Sequence, residues 1–529
     1  MERKTPDTDA LSMQHITKIY SNGFMANKDI CFSVRRGEIH GLVGENGAGK
    51  STLMKVLFGQ ETPESGKILL DGKEVTISNP LVALDYGIGM VHQHFMLVPS
   101  LTVAENMVLG VEPKKRRLFF DYKKAVQLTQ EVSEKYNLPI NPHKRVMDLS
   151  VGYKQRVELL KILLRGAKIL LLDEPTAVLT PQETAELFVQ LKNLKNAGFT
   201  IVFISHKLNE IKEICDRITV LRDGQVIGTA DVRDVTEQDI SRMMVGRDVL
   251  MQISKEAPRP QESILQVRDV GFTNMYGRKV LDKISFDLRR GEIVGIAGVE
   301  GNGQSELASV LTGLGRQQEG CVLLNGKNVA NMSIRQMREE GASFISEDRM
   351  VYDLVKEASI VENMVSDRYY KPEYLRGPLM DKMKIDQEAE SLIKDYLVAC
   401  DGKDAYMRTL SGGNMQKVIT ARECSSEPRL LIASQPTRGI DVGATEFIRK
   451  RLVQLRDQGT AILLFSADLA EIMQISDRIL VLHGGRIVAH IPDVKKVKET
   501  DLGEYMLGLR VQPDEEIGGA VFEEARRNS

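Results

Sequence analysis

The stretch from Gly44 to Thr52 reads GENGAGKST and fits the pattern G-x-x-x-x-G-K-[ST] in full. It follows an apolar, strand-like run and precedes helix-like residues, which is the context that this pattern requires. The glycines let backbone N–H groups turn inward around a phosphate. Lys50 supplies a positive charge to phosphate oxygens, and the Ser51 hydroxyl is a suitable ligand for Mg²⁺. The stretch therefore predicts a phosphate-binding loop.

Two adjacent carboxylates follow another apolar run. Residues 169–172 read ILLL, and Asp173 and Glu174 come directly after them. Acidic residues end many strands, so this feature is weak alone and gains weight from the glycine loop. Asp173 is placed to hold Mg²⁺ through water, and Glu174 can polarise an attacking water. The glycine loop and these two carboxylates together indicate an enzyme that catalyses phosphoryl transfer.

The elements that position these groups follow from the hydrophobic pattern. Short alternating segments such as DICFSV and KISFDL are typical of half-buried strands. Leucine-rich and β-branched runs suit strands buried on both faces, and helical patterns lie between them. This alternation predicts an α/β fold with mainly parallel sheets covered by helices.

The two halves of the chain repeat one plan. VRRGEIHGLVG ends at Gly44 and LRRGEIVGIAG ends at Gly298, while DRITVLRDGQVIG in the first half matches DRILVLHGGRIVA in the second. The spacing between corresponding positions stays nearly constant, which indicates duplication of a whole domain. We expect domains over 10–250 and 263–510, a proline-containing linker over 251–262 and a loosely held tail over 511–529.

Composition narrows the protein class. The chain has 529 residues, a net charge of −2 and no long charged block, which argues against a nucleic-acid surface. Its five cysteines are scattered without metal-ligand spacing, as in a reduced cytosolic protein. The N-terminus does not read as a signal peptide, and no apolar run approaches the ~20 residues that span a bilayer. A membrane function would therefore need other chains.

At LSGGNMQK, Leu410 to Lys417, the chain resembles the ATP-binding subunits of ABC transporters. Both halves show the resemblance, and the motifs occur in the order of that family: glycine loop, glutamine loop, signature, carboxylate strand and switch histidine. The resemblance implies two tandem P-loop ATPase domains that use ATP and Mg²⁺. Each would combine a mainly parallel sheet core with an antiparallel β part and a helical subdomain.

The resemblance also implies roles for individual residues. Gln93 corresponds to the glutamine that joins Mg²⁺ and senses the membrane subunit, and His206 to the switch histidine that contacts the γ-phosphate. Tyr20 resembles the aromatic residue that stacks on adenine, with an ordinary packing role as the alternative. The remaining residues expected to bind nucleotide are Gly44, Glu45, Asn46, Gly47, Ala48, Gly49, Lys50, Ser51, Thr52, Ser411, Gly412, Gly413, Asn414 and Asp441.

In this family two domains face each other head to tail, and each ATP lies between the glycine loop of one and the signature of the other. The first composite site draws Lys50, Asp173 and Glu174 from domain one and LSGGN from domain two, so every expected part is present. Its metal ligands would be Ser51, Gln93 and Asp173, and its catalytic residues Glu174, His206 and Gln93.

The second composite site has lost these parts. The substitutions at its catalytic positions are Gln304 for the lysine, Glu347 for the glutamine, Ser434 and Gln435 for the carboxylates and Ala467 for the histidine. The facing signature reads LSVGY, and Thr180 stands where an aspartate is expected. Because the losses group by site, we predict one hydrolytic site and one that is structural or holds nucleotide without turnover.

Two classes of tandem ABC protein lack membrane helices: importer subunits, and proteins that act on ribosomes or DNA. The short linker and the degenerate second site favour an importer, bound at the cytoplasmic face of the cell membrane to two membrane-spanning permease subunits. ASQPTRG resembles nucleoside importers, which work with a substrate-binding lipoprotein, more than simple-sugar importers, which remain the alternative. HFMLVPSLTVAEN and EASIVENM are expected to receive membrane-subunit helices, or else belong to the ordinary core.

Overall fold

The computed structural model divides the chain into two compact units, Met1–Val249 and Leu250–Ser529. The residues that the structure describes are 9–21, 23–92, 95–115, 119–176, 179, 181–205, 207–246, 253–274, 276–299, 301–330 and 332–521. Gln93, Thr180 and His206 lie outside these residues.

A six-stranded sheet forms the centre of the first unit. Its spatial order is β12-β11-β3-β10-β9-β6, in which β12 alone runs antiparallel to its neighbour. The strands are β3 (Ile39–Gly44), β6 (Ile88–Val91), β9 (Ile169–Asp173), β10 (Thr200–Ile204), β11 (Arg217–Arg222) and β12 (Gln225–Asp231). Leu170 and Leu171 of β9 point to opposite faces, and both are fully buried because both faces are covered.

An antiparallel sheet and a group of helices complete the first unit. The sheet has the order β2-β1-β4-β5, with β1 (Asp9–Ile19), β2 (Met25–Arg35), β4 (Ser65–Leu70) and β5 (Lys73–Val75). The helices are α1 (Lys50–Leu57), α2 (Pro80–Asp85), α3 (Val103–Val108), α4 (Tyr122–Lys135), α5 (Val151–Leu164), α6 (Pro181–Asn196), α7 (Leu208–Ile214) and α8 (Glu237–Val245). Helices α3, α4 and α5 pack on one another as a helical subdomain, beside the two-residue strands β7 (Lys114–Lys115) and β8 (Phe119–Phe120).

The second unit repeats this plan. Its central sheet has the order β18-β21-β22-β15-β23-β24, with β15 (Ile293–Ala297), β18 (Ala342–Ile345), β21 (Leu430–Ser434), β22 (Ala461–Ser466), β23 (Arg478–His483) and β24 (Arg486–Ile491). The antiparallel sheet β14-β13-β16-β17 comprises β13 (Ser263–Thr273), β14 (Lys279–Arg289), β16 (Glu319–Leu324) and β17 (Lys327–Asn328). The predicted α/β class, with an antiparallel part in each half, is confirmed.

The helices of the second unit follow the same order along the chain. They are α9 (Gln304–Leu311), α10 (Ile334–Glu339), α11 (Ile360–Val365), α12 (Lys382–Asp395), α13 (Gly412–Ser425), α14 (Val442–Asp457), α15 (Leu469–Ile475), α16 (Glu499–Met506) and α17 (Asp514–Gly518). Helices α11, α12 and α13 form the helical subdomain, beside the short strands β19 (Leu375–Arg376) and β20 (Leu379–Met380). A one-turn π-helix, Arg349–Asp353, follows β18.

The expectation of a loosely held tail is wrong for residues 511–521. Ala520 is fully buried in the core, and its carbonyl oxygen accepts a hydrogen bond from the Asp287 N–H at 3.0 Å. The Gln512 side chain accepts another from the His490 N–H at 2.6 Å. The segment is polar in composition, yet a single small apolar side chain and backbone hydrogen bonds dock it on β14 and β24.

The Asp353 carboxyl makes the second unit sensitive to pH. Asp353 is 5% exposed, and its Oδ2 accepts a hydrogen bond from the Ser346 N–H at 2.9 Å. Burial raises its pKa to about 6, so the protonated carboxyl is favoured in the folded state. The stability that protonation provides is lost as the pH rises through about 6.

We therefore expect Asp353→Asn to be more stable than the wild type at pH 7.5 and equal to it near pH 4. The amide mimics the protonated carboxyl, and a pKa raised to about 6 corresponds to a gain of about 3 kcal/mol. Denaturant unfolding of both proteins across this pH range measures the difference. A gap that does not change with pH would contradict the assignment.

Candidate functional site

The glycine loop of the first unit lies at the carboxyl end of β3, between β10 and β11 in the sheet. Gly47 and Gly49 have left-handed backbones, with φ of 87° and 97°. The buried Asn27 side chain donates to the Gly49 carbonyl oxygen at 3.0 Å and so fixes the start of α1. A Cβ at Gly49 would overlap the Ala26 carbonyl and the Asn27 amide. The loop therefore requires glycine at this position.

Substituting Gly49 by Ala is expected to lower the melting temperature and abolish high-affinity ATP binding. The left-handed backbone alone costs about 1–2 kcal/mol for alanine, and the overlap with fixed backbone atoms adds to it. Gly72→Ala is the matched control, because Gly72 has φ of 77° but open space around it. Thermal unfolding and equilibrium ATP binding check both variants. Equal effects of the two would show that the loop is not closely packed.

Lys50 is 5% exposed and lies across the loop. Its ammonium donates to the carbonyl oxygens of Gly44, at 2.7 Å, and Glu45, at 2.9 Å. Burial lowers the Lys50 pKa, and the carboxylates of Glu174, Asp173 and Glu45 oppose that shift. A buried cation at a helix N-terminus, flanked by glycine N–H groups, is suited to bind a polyphosphate.

β9 ends at Asp173 beside this loop, and Glu174 follows directly. Asp173 is 9% exposed, and the Ser51 side chain lies beside its carboxylate. Burial, and then the Glu174 charge, raise the Asp173 pKa, while Ser51 and Lys50 oppose the rise. Glu174 has φ of 47°, and its N–H donates to the Ile204 carbonyl oxygen at 3.0 Å. A hydroxyl and a carboxylate in contact are the oxygen ligands that Mg²⁺ prefers, so the first unit fits the ion.

A buried glutamate that the sequence analysis did not identify fixes the neighbouring strand ends. Glu210 accepts hydrogen bonds from the Thr176 hydroxyl, at 2.6 Å, and the Ser205 hydroxyl, at 2.9 Å. It thus ties the segment after Glu174 to the segment that leads to position 206. The second unit repeats the contact, since the Thr437 hydroxyl donates to Glu471 at 2.7 Å. The sequence shows the repeat of Glu210 by Glu471 but does not reveal the contact that either residue makes.

Tyr20 lies beside the glycine loop. Its hydroxyl is 3.2 Å from the Thr52 hydroxyl, and the Lys18 ammonium is 5.6 Å from its ring centroid. The ring is half-buried. These contacts place Tyr20 beside the predicted nucleotide site.

The corresponding loop of the second unit has different chemistry. The Gln304 amide nitrogen fills the space where a Cβ on Gly298 would stand. Gln435 keeps the left-handed backbone of its counterpart, with φ of 49°, but its side-chain oxygen accepts from the Ala467 N–H at 3.2 Å. Ser434 is 3% exposed. The backbone of the site is thus retained without a cation in the loop or a carboxylate on β21.

The metal position of the second unit does not fit Mg²⁺. The Ser305 hydroxyl donates to Glu347 Oε2 at 3.0 Å, and Glu347 Oε1 forms an ion pair with Arg438. The Glu347 carboxylate is therefore already paired with a guanidinium. Ser434 replaces the remaining carboxylate.

The predicted signature residues come together in the second unit. Ser411 is the N-cap of α13, and the Asn414 side chain donates to its hydroxyl at 3.0 Å. Asp441 caps α14 by accepting from the Ala444 N–H at 2.6 Å. Gly413 packs so closely on Asp441 that a Cβ would overlap its carboxylate. This packing explains the small residue within the signature.

The two segments predicted to contact membrane subunits, HFMLVPSLTVAEN and EASIVENM, lie partly at the surface and partly in the core. Ile360 and Met364 belong to the buried core of the second unit, as the alternative predicted. Met96 is 59% exposed and Val98 is 37% exposed, so part of the first segment is accessible. Among the described helices of the chain, none is long and apolar enough to cross a bilayer.

The fold and the first unit's site define a P-loop nucleotide-binding protein. A profile described as ABC transporter matches residues 27–177 and 281–438. The guanosine import ATP-binding protein NupO of Bacillus subtilis (strain 168) is 47% identical over 94% of this chain and 97% of its own length. The nucleoside import ATP-binding protein NupA of Lactococcus lactis subsp. cremoris (strain MG1363) is 44% identical over 94% and 98%. The chain therefore belongs to the ABC transporter family, as one of its ATP-binding subunits.

Other relatives carry different names. The glucose import ATP-binding protein TsgD13 of Haloferax volcanii is 43% identical over 90% of this chain and 92% of its own length. A solved complex of the archaeal ribosomal stalk protein aP1 and the ribosome recycling factor aABCE1 matches with a TM-score of 0.58 and 19% identity, covering 90% of each chain. The similarity to this solved structure shows only that the fold is shared.

Proposed function

We propose that this chain is the ATP-hydrolysing subunit of a nucleoside importer and that only the first unit hydrolyses ATP. The observation that carries the proposal is the contrast between two sites that share one backbone arrangement. The site of the first unit has Lys50, Asp173 and Glu174, and the site of the second unit has Gln304, Ser434 and Gln435 at the corresponding positions. Only the first set supplies the charges that phosphoryl transfer requires.

Glu174 acts as the base that orients the attacking water and accepts its proton. Lys50 and the loop N–H groups bind the phosphates and stabilise charge on their oxygens. Mg²⁺, held by Ser51, Asp173 and Gln93, would neutralise further charge on those oxygens. His206 and the second unit's signature, Ser411 to Asn414, complete this site in the arrangement that the family resemblance implies.

The importer role requires other chains. We propose two membrane-spanning permease subunits that hold this chain at the cytoplasmic face of the membrane, with a substrate-binding lipoprotein on the far side. The exposed side chains of Met96 and Val98 support contact with a permease in the first unit. ATP-driven closure of the two units, and their reopening after hydrolysis, would then move the permeases between states.

The substrate assignment is supported by relatives of high coverage. NupO and NupA are 47% and 44% identical to this chain, and their names describe guanosine import and nucleoside import. Sugar import is the second candidate, favoured by TsgD13 at 43% identity.

Thermal unfolding of the substrate-binding protein encoded beside this chain, with nucleosides and sugars, tests the assignment. We expect guanosine or another nucleoside to raise its melting temperature, while ribose and glucose leave it unchanged. The assembled transporter in vesicles should then accumulate the same nucleoside in an ATP-dependent way. Stabilisation by a monosaccharide alone would replace the nucleoside assignment with the sugar assignment.

A further inference from the structure

The π-helix Arg349–Asp353 places an arginine against the signature segment of the second unit. The chain between β18 and α11 is longer than its counterpart between β6 and α3, and this turn lies within it. Asp348 caps the turn by accepting from the Met350 N–H at 3.0 Å.

The Arg349 guanidinium is half-buried and reaches three acceptors. Its Nη1 donates to the Gly412 carbonyl oxygen and to Gln416 Oε1, both at 3.3 Å. Its Nη2 donates to the Arg438 carbonyl oxygen at 3.2 Å. The first turn of α13 and the segment that leads to Asp441 are therefore held by one rigid side chain.

The same contacts continue into the altered nucleotide site. The Arg438 side chain is ion-paired with Glu347, which accepts from the Ser305 hydroxyl. Ser305 and Glu347 stand at the positions where the first unit has predicted metal ligands. Arg438 stands in the turn that, in the first unit, follows the two carboxylates. A continuous set of polar contacts thus runs from the glycine loop of the second unit to its signature.

We propose that Ser305, Glu347, Arg349 and Arg438 form a brace, with Arg349 as the residue that positions the signature for ATP bound by the first unit. The inference rests on the proposed function, because it assigns that signature to the hydrolytic site. Residues at the lost metal position would then serve the other site by fixing its signature.

Charge at the helix ends supports this role. A cation near a helix N-terminus is unfavourable for the helix dipole, and the N-terminus of α13 already meets the Asp441 carboxylate. In the first unit the Gly152 N–H at the start of α5 donates instead to Glu183, at 3.2 Å. A carboxylate stabilises that helix end and repels a triphosphate. The guanidinium therefore favours ATP at the signature that serves the hydrolytic site.

The test compares ATP hydrolysis by full-length Arg349→Gln, Arg349→Lys and Glu347→Gln proteins. We expect Arg349→Gln to raise the KM for ATP about tenfold, with kcat and the melting temperature nearly unchanged, because one charged hydrogen-bonding group is lost. Arg349→Lys should recover part of the loss, and Glu347→Gln should raise the KM by a smaller factor. Arg408→Gln is the control, since Arg408 is exposed and stacks on Tyr406 in the same unit.

An unchanged KM in Arg349→Gln, or an equal change in Arg408→Gln, would overturn the brace. If Arg349→Gln fails to fold, Glu347→Gln and Arg349→Lys decide the question by the same measurement, since an unchanged KM in both would also overturn it. The proposed function is tested separately by Glu174→Gln. Hydrolysis that survives Glu174→Gln refutes that function, whereas loss of hydrolysis there with a normal KM in the brace variants refutes the brace alone.

Discussion

Replacing Glu174 by Gln is expected to lower the rate of ATP hydrolysis by about two to four orders of magnitude, the usual contribution of a general base. The amide has nearly the same size but cannot accept a proton from water. The left-handed backbone and the hydrogen bond to Ile204 do not depend on the carboxylate, so folding and ATP affinity should persist. Steady-state phosphate release and equilibrium ATP binding measure the two properties.

Gln435 provides the matched control, because it has the same backbone conformation in the second unit. Gln435→Glu is expected to leave the rate within a factor of about two, since a base alone, without a loop lysine or metal carboxylate, does not activate a second site. The double variant Glu174→Gln/Gln435→Glu should therefore remain inactive. Recovery of hydrolysis in that protein would show that the second unit can catalyse.

Replacing Lys50 by Ala is expected to weaken ATP binding about 100-fold and to remove hydrolysis. The ammonium is buried at the loop, where a hydrogen bond to a charged group contributes about 1.5–3 kcal/mol. Gln304→Ala is the control in the second unit and should change the rate by less than about twofold, because a neutral amide adds little charge stabilisation there. Calorimetric titration with ATP and phosphate release check both variants.

An equal loss of activity in Lys50→Ala and Gln304→Ala would contradict the assignment of hydrolysis to the first unit. Thermal unfolding of each variant serves as the folding control. Lys50 donates to the carbonyl oxygens of Gly44 and Glu45, so a modest fall in melting temperature is expected for Lys50→Ala. A large fall in melting temperature would show that Lys50→Ala loses activity because it folds poorly, and not because it binds ATP weakly.

Much of the fold was predictable from short-range patterns. The run ILLLD predicted a strand buried on both faces, and β9 ends at Asp173 as expected. The glycine loop was predictable because its backbone conformations need glycine, as φ of 97° at Gly49 shows. The family resemblance added the antiparallel sheet and helical subdomain of each unit, which the structure confirms.

Contacts that depend on tertiary structure were not predictable. Glu210 is an acidic residue on a short helix, and only the tertiary structure shows that it is buried between two strand ends. Arg349 lies in a connection that is longer than its counterpart in the first unit, so the repeat did not point to it. Residues 511–521 are polar, and their docking through Ala520 follows from the shape of the second unit and not from composition.

The central claim is that one chain hydrolyses ATP at a single site on its first unit. Trapping of radiolabelled nucleotide by orthovanadate with Mg²⁺ measures it most directly, since vanadate retains ADP only where hydrolysis has occurred. The account predicts about one trapped ADP per chain, lost in Lys50→Ala and retained in Gln304→Ala. Two trapped nucleotides per chain, or one that survives Lys50→Ala, would contradict it.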